Sequence, residues 1–220
     1  MITFKRVTKR KKVNGKTRDI LSLVDIEIPS NRRIALFTPS AEDSNLVINL
    51  LAGIESPTSG LIRRTAKVSF PVGYVGGFQG ELTVRHNIAH VARLYGADPA
   101  MMVDFIGSIP ALRDTLNLRF NDFPRSLRRQ FAQILTYSIP FDVYLLNVEP
   151  TSVPTDHREI ACTLFEARTR VAGAIIAIRN AAFAKTHCDM ALAMLDRKLV
   201  LFHDIEQALS ASRGARTGAS

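Results

Sequence analysis

Residues 34–54 constrain this chain more than any other stretch. Ile34 to Phe37 is a short apolar run of the kind that buried strands show, and Thr38-Pro-Ser40 then turns the chain. Leu46, Val47, Leu50 and Leu51 follow at helical spacing, and a second turn covers Ser56 to Gly60. This strand–turn–helix unit has the outline of a phosphate-binding loop. Such loops read G-x-x-x-x-G-K-[ST], because glycines let backbone N–H groups face the anion and the lysine adds charge. Here the eight positions read Thr38, Pro39, Ser40, Ala41, Glu42, Asp43, Ser44 and Asn45. The outline is kept, and the groups that hold phosphate are missing.

The rest of the sequence builds an α/β fold around that unit. Ile2 to Phe4 and Val24 to Ile28 alternate apolar and polar, as half-buried antiparallel strands do, with a hairpin turn expected at Val13-Asn-Gly-Lys16. A short strand is expected at Lys67 to Gly73, and helices from Thr83 to Gly96, from Asp98-Pro99, and over Arg125 to Ser138. Val143 to Leu146 and Gly173 to Ile178 are continuous apolar runs, as in buried parallel strands, separated by a helix from Asp156 through Val171. Met190 to Leu195 and Leu199 to Phe202 flank a turn at Asp196-Arg-Lys198. The expectation is one domain with a mainly parallel core sheet over about residues 1–80 and 141–210, and an antiparallel side sheet near its N-terminus. A helical subdomain is expected at about 81–140, and a disordered tail at about 211–220.

With 220 residues, the chain is long enough to bury a sizeable core. Its net charge of +9 is concentrated in Lys5 to Arg18 and near Arg213 and Arg216. A solvated basic face is the plain explanation. No nucleic-acid-binding motif accompanies the charge, so an anionic membrane surface is favoured over nucleic acid. Cys162 and Cys188 have neither metal-ligand nor disulfide-framework spacing, which implies a reducing cytoplasm. No apolar run reaches the roughly 18 residues of a membrane span.

One further stretch is more specific. Phe70-Pro-Val-Gly-Tyr-Val-Gly-Gly-Phe-Gln-Gly-Glu-Leu-Thr-Val-Arg-His-Asn87, continuing into Val91-Ala-Arg-Leu-Tyr95, closely resembles the Q-loop region of the ATP-binding subunits of ABC exporters for capsular polysaccharide and O-antigen. Leu51 to Gly60, Phe141 to Leu146 and Cys188-Asp189 fall in the family's order, so the resemblance covers about residues 1–205. It implies an ABC-type P-loop fold, a permease partner at the inner face of the membrane, ATP with Mg²⁺ as cofactor, and a dimer.

Placed on this chain, the family's working residues are largely replaced. No aromatic stands near Lys11, where one would stack on adenine; Ser44 takes the phosphate-loop lysine position and Asn45 the Mg²⁺-binding hydroxyl position. Gln79 keeps the Q-loop position. Pro124, Arg125 and Ser126 replace the signature residues that hold a partner's γ-phosphate, and Val148 the Walker B carboxylate. Glu149 retains the water-polarising carboxylate position, while Thr155 and Arg179 stand at the D-loop aspartate and switch histidine positions. Arg125 and Arg179 have the chemistry to hold an anion bidentately, although solvated or salt-bridged arginine is the plainer reading. The resemblance therefore implies a degenerate, catalytically inactive subunit with weak or lost nucleotide binding, using Phe78, Gln79 and Thr83 to meet the permease. Its partner subunit is either a second copy or an intact ATPase. A working ATPase completed by its partner, or an interaction protein outside transport, are the alternatives. Gly76, Gly77 and Gly80 also have a bland explanation, a turn that needs positive φ angles.

Overall fold

The structure is a computed structural model that describes residues 1–13, 16–150 and 158–217. By internal contact it divides into two compact units. The first holds Met1–Pro71, the segment from Phe141 and the chain from Thr169, and the second holds Val72–Pro140 and the chain up to Arg168.

In the first unit, β1 (Ile2–Val13) and β2 (Lys16–Ile28) form one long antiparallel hairpin, paired from Ile2 with Ile28 to Val13 with Lys16. These strands run far beyond the two short segments that alternation suggests. The cation-rich middle hides them, because ladder hydrogen bonds need no apolar side chain when one face is wet. Arg6 (φ 48°) and Leu23 (φ 47°) mark irregularities along the pair. The expected turn at Asn14-Gly15 lies outside the described residues. β3 (Arg33–Phe37) leads into α1 (Ala41–Ala52), and β4 (Ser59–Arg64) then returns to pair with β1. Residues 59 and 60, expected in a turn, thus open a strand. Gly60 is required there: its φ is +85°, and a Cβ would lie 2.3 Å from the Arg6 carbonyl oxygen.

The main sheet adds β5 (Val68–Pro71), β6 (Val143–Leu146), β7 (Gly173–Ala177), β8 (Met190–Leu195) and β9 (Lys198–Phe202). Its order is β5-β6-β7-β3-β8-β9, parallel except for β9, and β2-β1-β4 is the side sheet. A single apolar cluster joins the side sheet, α1 and one face of the main sheet, through residues such as Phe4, Val24, Ile34, Leu46, Leu50, Leu145 and Leu192. On the opposite face Ala35, Ala191 and Ala193 meet Ala184 of α7 (Ala181–His187) and Ala208 of α8 (Ile205–Thr217). α8 runs as helix to Thr217, into the stretch expected as a tail from about residue 211, and Ile205, Ala208 and Leu209 near its start dock on alanines of the sheet. The β8–β9 turn is Asp196-Arg197, both at positive φ, with Lys198 already in the strand. Arg64 closes α1, donating from Nε to the Leu51 carbonyl at 2.7 Å and from Nη2 to the Leu50 carbonyl at 2.5 Å.

The second unit is helical: α2 (Val84–Leu94), α3 (Pro99–Gly107), α4 (Pro110–Arg113), α5 (Arg125–Ser138) and α6 (Arg158–Thr169), which falls here up to Arg168. Asp156, expected to open α6, lies outside the described residues. Phe78, Phe120, Phe123 and Phe131 form an aromatic cluster, with ring centroids 4.9 Å apart for Phe78–Phe120 and 5.4 Å for Phe78–Phe131. Arg168 does for α5 what Arg64 does for α1, donating to the Tyr137 and Ser138 carbonyls.

Candidate functional site

The loop between β3 and α1 is built as a self-contained network. Ser40 caps α1, its Oγ accepting the Asp43 N–H at 3.1 Å and donating to Asp43 Oδ2 at 2.8 Å. Thr38 Oγ1 donates to the Ser40 carbonyl at 2.8 Å and lies 2.5 Å from Ser44 Oγ. Ala41 to Asn45 are already helical. Glu42 and Asp43 sit in the first turn, where carboxylates complement the positive end of the helix dipole. The protein's own acids therefore occupy the electrostatic place that a phosphate would take.

Beside this loop, still within the first unit, is an open cleft of about 1140 Å³, lined in part by Arg10, Arg18, Asp19, Phe37, Thr38, Pro39 and Asp43. Arg10 is bound to Asp19 at 2.8 Å, and Asp196 and Arg197 also face the space, so acids match bases around it. A polyphosphate would meet Asp43 at the loop and find no lysine there.

Glu149 is 7% exposed, which places it inside the unit rather than on its surface. Its Oε1 accepts the N–H groups of Arg179 and Asn180, each at 2.7 Å. The structure thus brings Glu149 and Arg179 together through the backbone, while the Arg179 side chain is exposed. Asn180 caps α7, and the carboxylate sits at that helix start, held by two donors. Val148 is half-buried and offers no metal ligand, and Asn147 Oδ1, just before it, is buried without a partner. Thr155 lies outside the described residues. Cys188 is no reactive thiol: burial first, then the Asp189 charge, push it up to about 12.

In the second unit, Pro124 stands at the N-cap of α5 without a side-chain cap bond, Arg125 is the first helical residue, and Ser126 lies in the first turn. The segment before α2 is better ordered by its own bonds. Thr83 Oγ1 accepts the His86 N–H at 3.2 Å, which makes it the N-cap of α2. Phe78 packs among Phe120 and Phe131, so its ring is used inside the unit. Gln79 is exposed, as are Tyr74 (41%) and Val75 (39%). The positive-φ explanation for Gly76, Gly77 and Gly80 fails, since in this stretch only Gly73 has one. A Cβ at Gly80 would lie 2.2 Å from Oδ1 of Asn121, an exposed side chain that can move aside. Sequence reasoning assigned no role to Asn87, whose side chain binds the Gln79 backbone; it closes the quoted motif, which was its only signal.

No protein-family model matches the chain. It is 28% identical over 210 residues to the ATP-binding protein BexA of Haemophilus influenzae, covering 94% of this chain and 96% of the relative. It is 24% identical to the polysialic acid transport ATP-binding protein KpsT of Escherichia coli, covering 94% of each. Among solved structures, the ATP-binding subunit of an ABC transporter superposes with a TM-score of 0.71 at 15% identity, covering 99% of this chain and 97% of that one. The fold is that of an ABC ATPase cassette, and the resemblance drawn from residues 70–95 is borne out by these relatives. No helix among the described residues is long and apolar enough to cross a membrane.

Proposed function

From its homology to ATP-binding subunits of capsular polysaccharide export, we propose that this chain is a non-hydrolysing member of such a machine, serving as partner or scaffold for the permease. The observation that carries this reading is the closed network of Thr38, Ser40, Asp43 and Ser44. Each charge-assisted hydrogen bond to phosphate that is lost removes roughly 1.5–3 kcal/mol, so missing the lysine and several donors lowers affinity by orders of magnitude. Phosphoryl transfer also needs Mg²⁺ and cations held around the γ-phosphate, for which Val148 and Asn45 supply no charge. Glu149 is committed to the Arg179 and Asn180 N–H groups.

The retained segment from Pro71 to Asn87 supports continued docking. Gln79 remains exposed on a loop held by its own unit, which suits a contact with the permease. The chain then works at the inner face of the membrane, paired with a second copy or with an intact ATPase subunit. The net charge of +9 favours an anionic lipid surface, at about 1 kcal/mol for each basic residue close to it.

Steady-state ATP hydrolysis tests the first half of this reading. The purified chain is expected to give no turnover above a blank. Turnover that disappears in Glu149→Gln protein overturns the reading. Co-purification with a co-expressed polysaccharide-export permease tests the docking half, with recovery expected for wild type and reduced recovery for a Tyr74→Ala, Gln79→Ala double variant.

A further inference from the structure

We propose that Asn87 is a positioning residue: its buried amide fixes the backbone of Gln79, so that Gln79, Tyr74 and Val75 are presented in one preset arrangement. The proposal rests on the docking reading above for what the arrangement is presented to, and on the structure alone for the clamp.

Asn87 lies in the first turns of α2 and is fully buried. Its Oδ1 accepts the Gln79 N–H at 2.8 Å, and its Nδ2 donates to the Gln79 carbonyl at 3.0 Å. The same Nδ2 also reaches the Leu82 carbonyl at 3.3 Å and the Thr83 carbonyl at 3.1 Å. A primary amide has two donors and one acceptor oxygen, so Asn is suited to grip both polar groups of one residue. Aspartate lacks the donors, and alanine lacks both.

Gln79 has an exposed side chain above partly buried backbone bonds, so the clamp holds the backbone of a residue whose side chain is displayed. The rest of the segment is held by other means. Phe78 is wedged between Phe120 and Phe131. Beyond Gln79, the Asn121 and Phe120 N–H groups donate to the Gly80 and Leu82 carbonyls, and the Val84 N–H donates to the Leu118 carbonyl. Fixed at Phe78 and zipped from Gly80, the chain holds Gln79 locally through one bond alone, from the Leu82 N–H to its carbonyl at 3.2 Å. Asn87 gives the Gln79 N–H its acceptor and adds a second donor to the carbonyl. The fixed pair sets where the Gln79 side chain emerges, and the preceding residues Tyr74 and Val75 project from the same held loop.

Amide hydrogen exchange reads the clamp directly on the full chain. In wild type the Gln79 N–H is expected to be protected despite its exposed side chain, while the Gly77 N–H exchanges freely. Asn87→Ser, too short to bridge, is expected to speed Gln79 exchange at least about tenfold, leaving the Phe131 region of α5 protected. Ile88→Ala is the control: it removes a buried side chain of the same helix and leaves the clamp in place. If Asn87 merely stabilises α2, Ile88→Ala and Asn87→Ser lower permease recovery alike at equal loss of thermal stability. The proposal expects Asn87→Ser to lose recovery several-fold more. An unprotected Gln79 N–H in wild type overturns it even if Asn87→Ser does not fold. Failure of wild type to recover a permease, with the exchange pattern intact, overturns the docking reading and leaves the clamp standing.

Discussion

The loop at residues 38–40 and the loop at residues 73–83 each feed a helix, α1 and α2, and each ends in a hydroxyl cap, Ser40 and Thr83. In the first, the polar side chains bond one another. Thr38, Ser40, Asp43 and Ser44 leave little directed outward, and the acids face the helix start that would attract an anion. In the second, a buried side chain from the helix satisfies the backbone, and the exposed side chains of Tyr74, Val75 and Gln79 are spared. One loop has spent its polar groups on its own stability; the other is held from behind and displays what it carries.

The largest expected effect separates anchor from display in the second loop. Phe78→Ala removes a ring from the aromatic cluster and should lower unfolding free energy by about 3 kcal/mol in urea titration. Gln79→Ala, one residue on, should change it by no more than about 0.5 kcal/mol. Equal losses for the two would mean that no part of the loop is free for display.

Glu149 tests whether a residue at a catalytic position has become purely structural. Glu149→Ala removes the carboxylate that the Arg179 and Asn180 N–H groups share, at about 2 kcal/mol of stability. Glu149→Gln should cost less, because its carbonyl still accepts, and neither variant should alter the ATP blank. Smaller again is Ser44→Ala, which breaks the contact with Thr38 Oγ1 and a longer bond to the Ser40 carbonyl and should cost about 1 kcal/mol. Ser44→Lys should restore no titration heat with Mg-ATP, since Asp43 stays in place.

Much of this contrast was legible in the residues. Periodicity located α1, α2, α5, β6 and β8 because each buries a whole face or all of it, and the motif from Phe70 to Asn87 pointed to the right relatives. The long hairpin was not legible beyond its apolar ends, because Lys5 to Lys12 carries largely solvent-facing charge on an antiparallel ladder with register shifts. α8 was hidden because the residues from Ser210 are small or polar; Ile205, Ala208 and Leu209, which dock on the sheet's alanines, precede them. Phe78 was singled out by the motif alone, and an aromatic in a glycine-rich loop gives no sign of which rings it packs on. Its partners Phe120 and Phe131 come from distant sequence. Glu149 was found by motif position, but its two backbone donors are a tertiary fact.

The smallest expected effect concerns the base of the basic hairpin. Glu55 takes Lys9 Nζ at 3.0 Å and lies 3.7 Å from Lys11 Nζ, so one carboxylate absorbs two of the hairpin's cations. Partial burial works against its charge. The hydrogen bonds from Lys9 and Asn49, with the charges of Lys11 and Lys9, outweigh that and hold the carboxyl below its ordinary value. A depressed carboxylate contributes stability above its unfolded value and loses it as pH falls through its folded value. Wild type should therefore exceed Glu55→Gln by about 0.5 kcal/mol near about pH 6.5, and the gap should close towards about pH 3.5. Added salt should shrink it at the higher pH, because both lysine contacts are partly solvated. A gap that persists in acid would mean that Glu55 acts by packing, and that the hairpin's cations are held by the ladder alone.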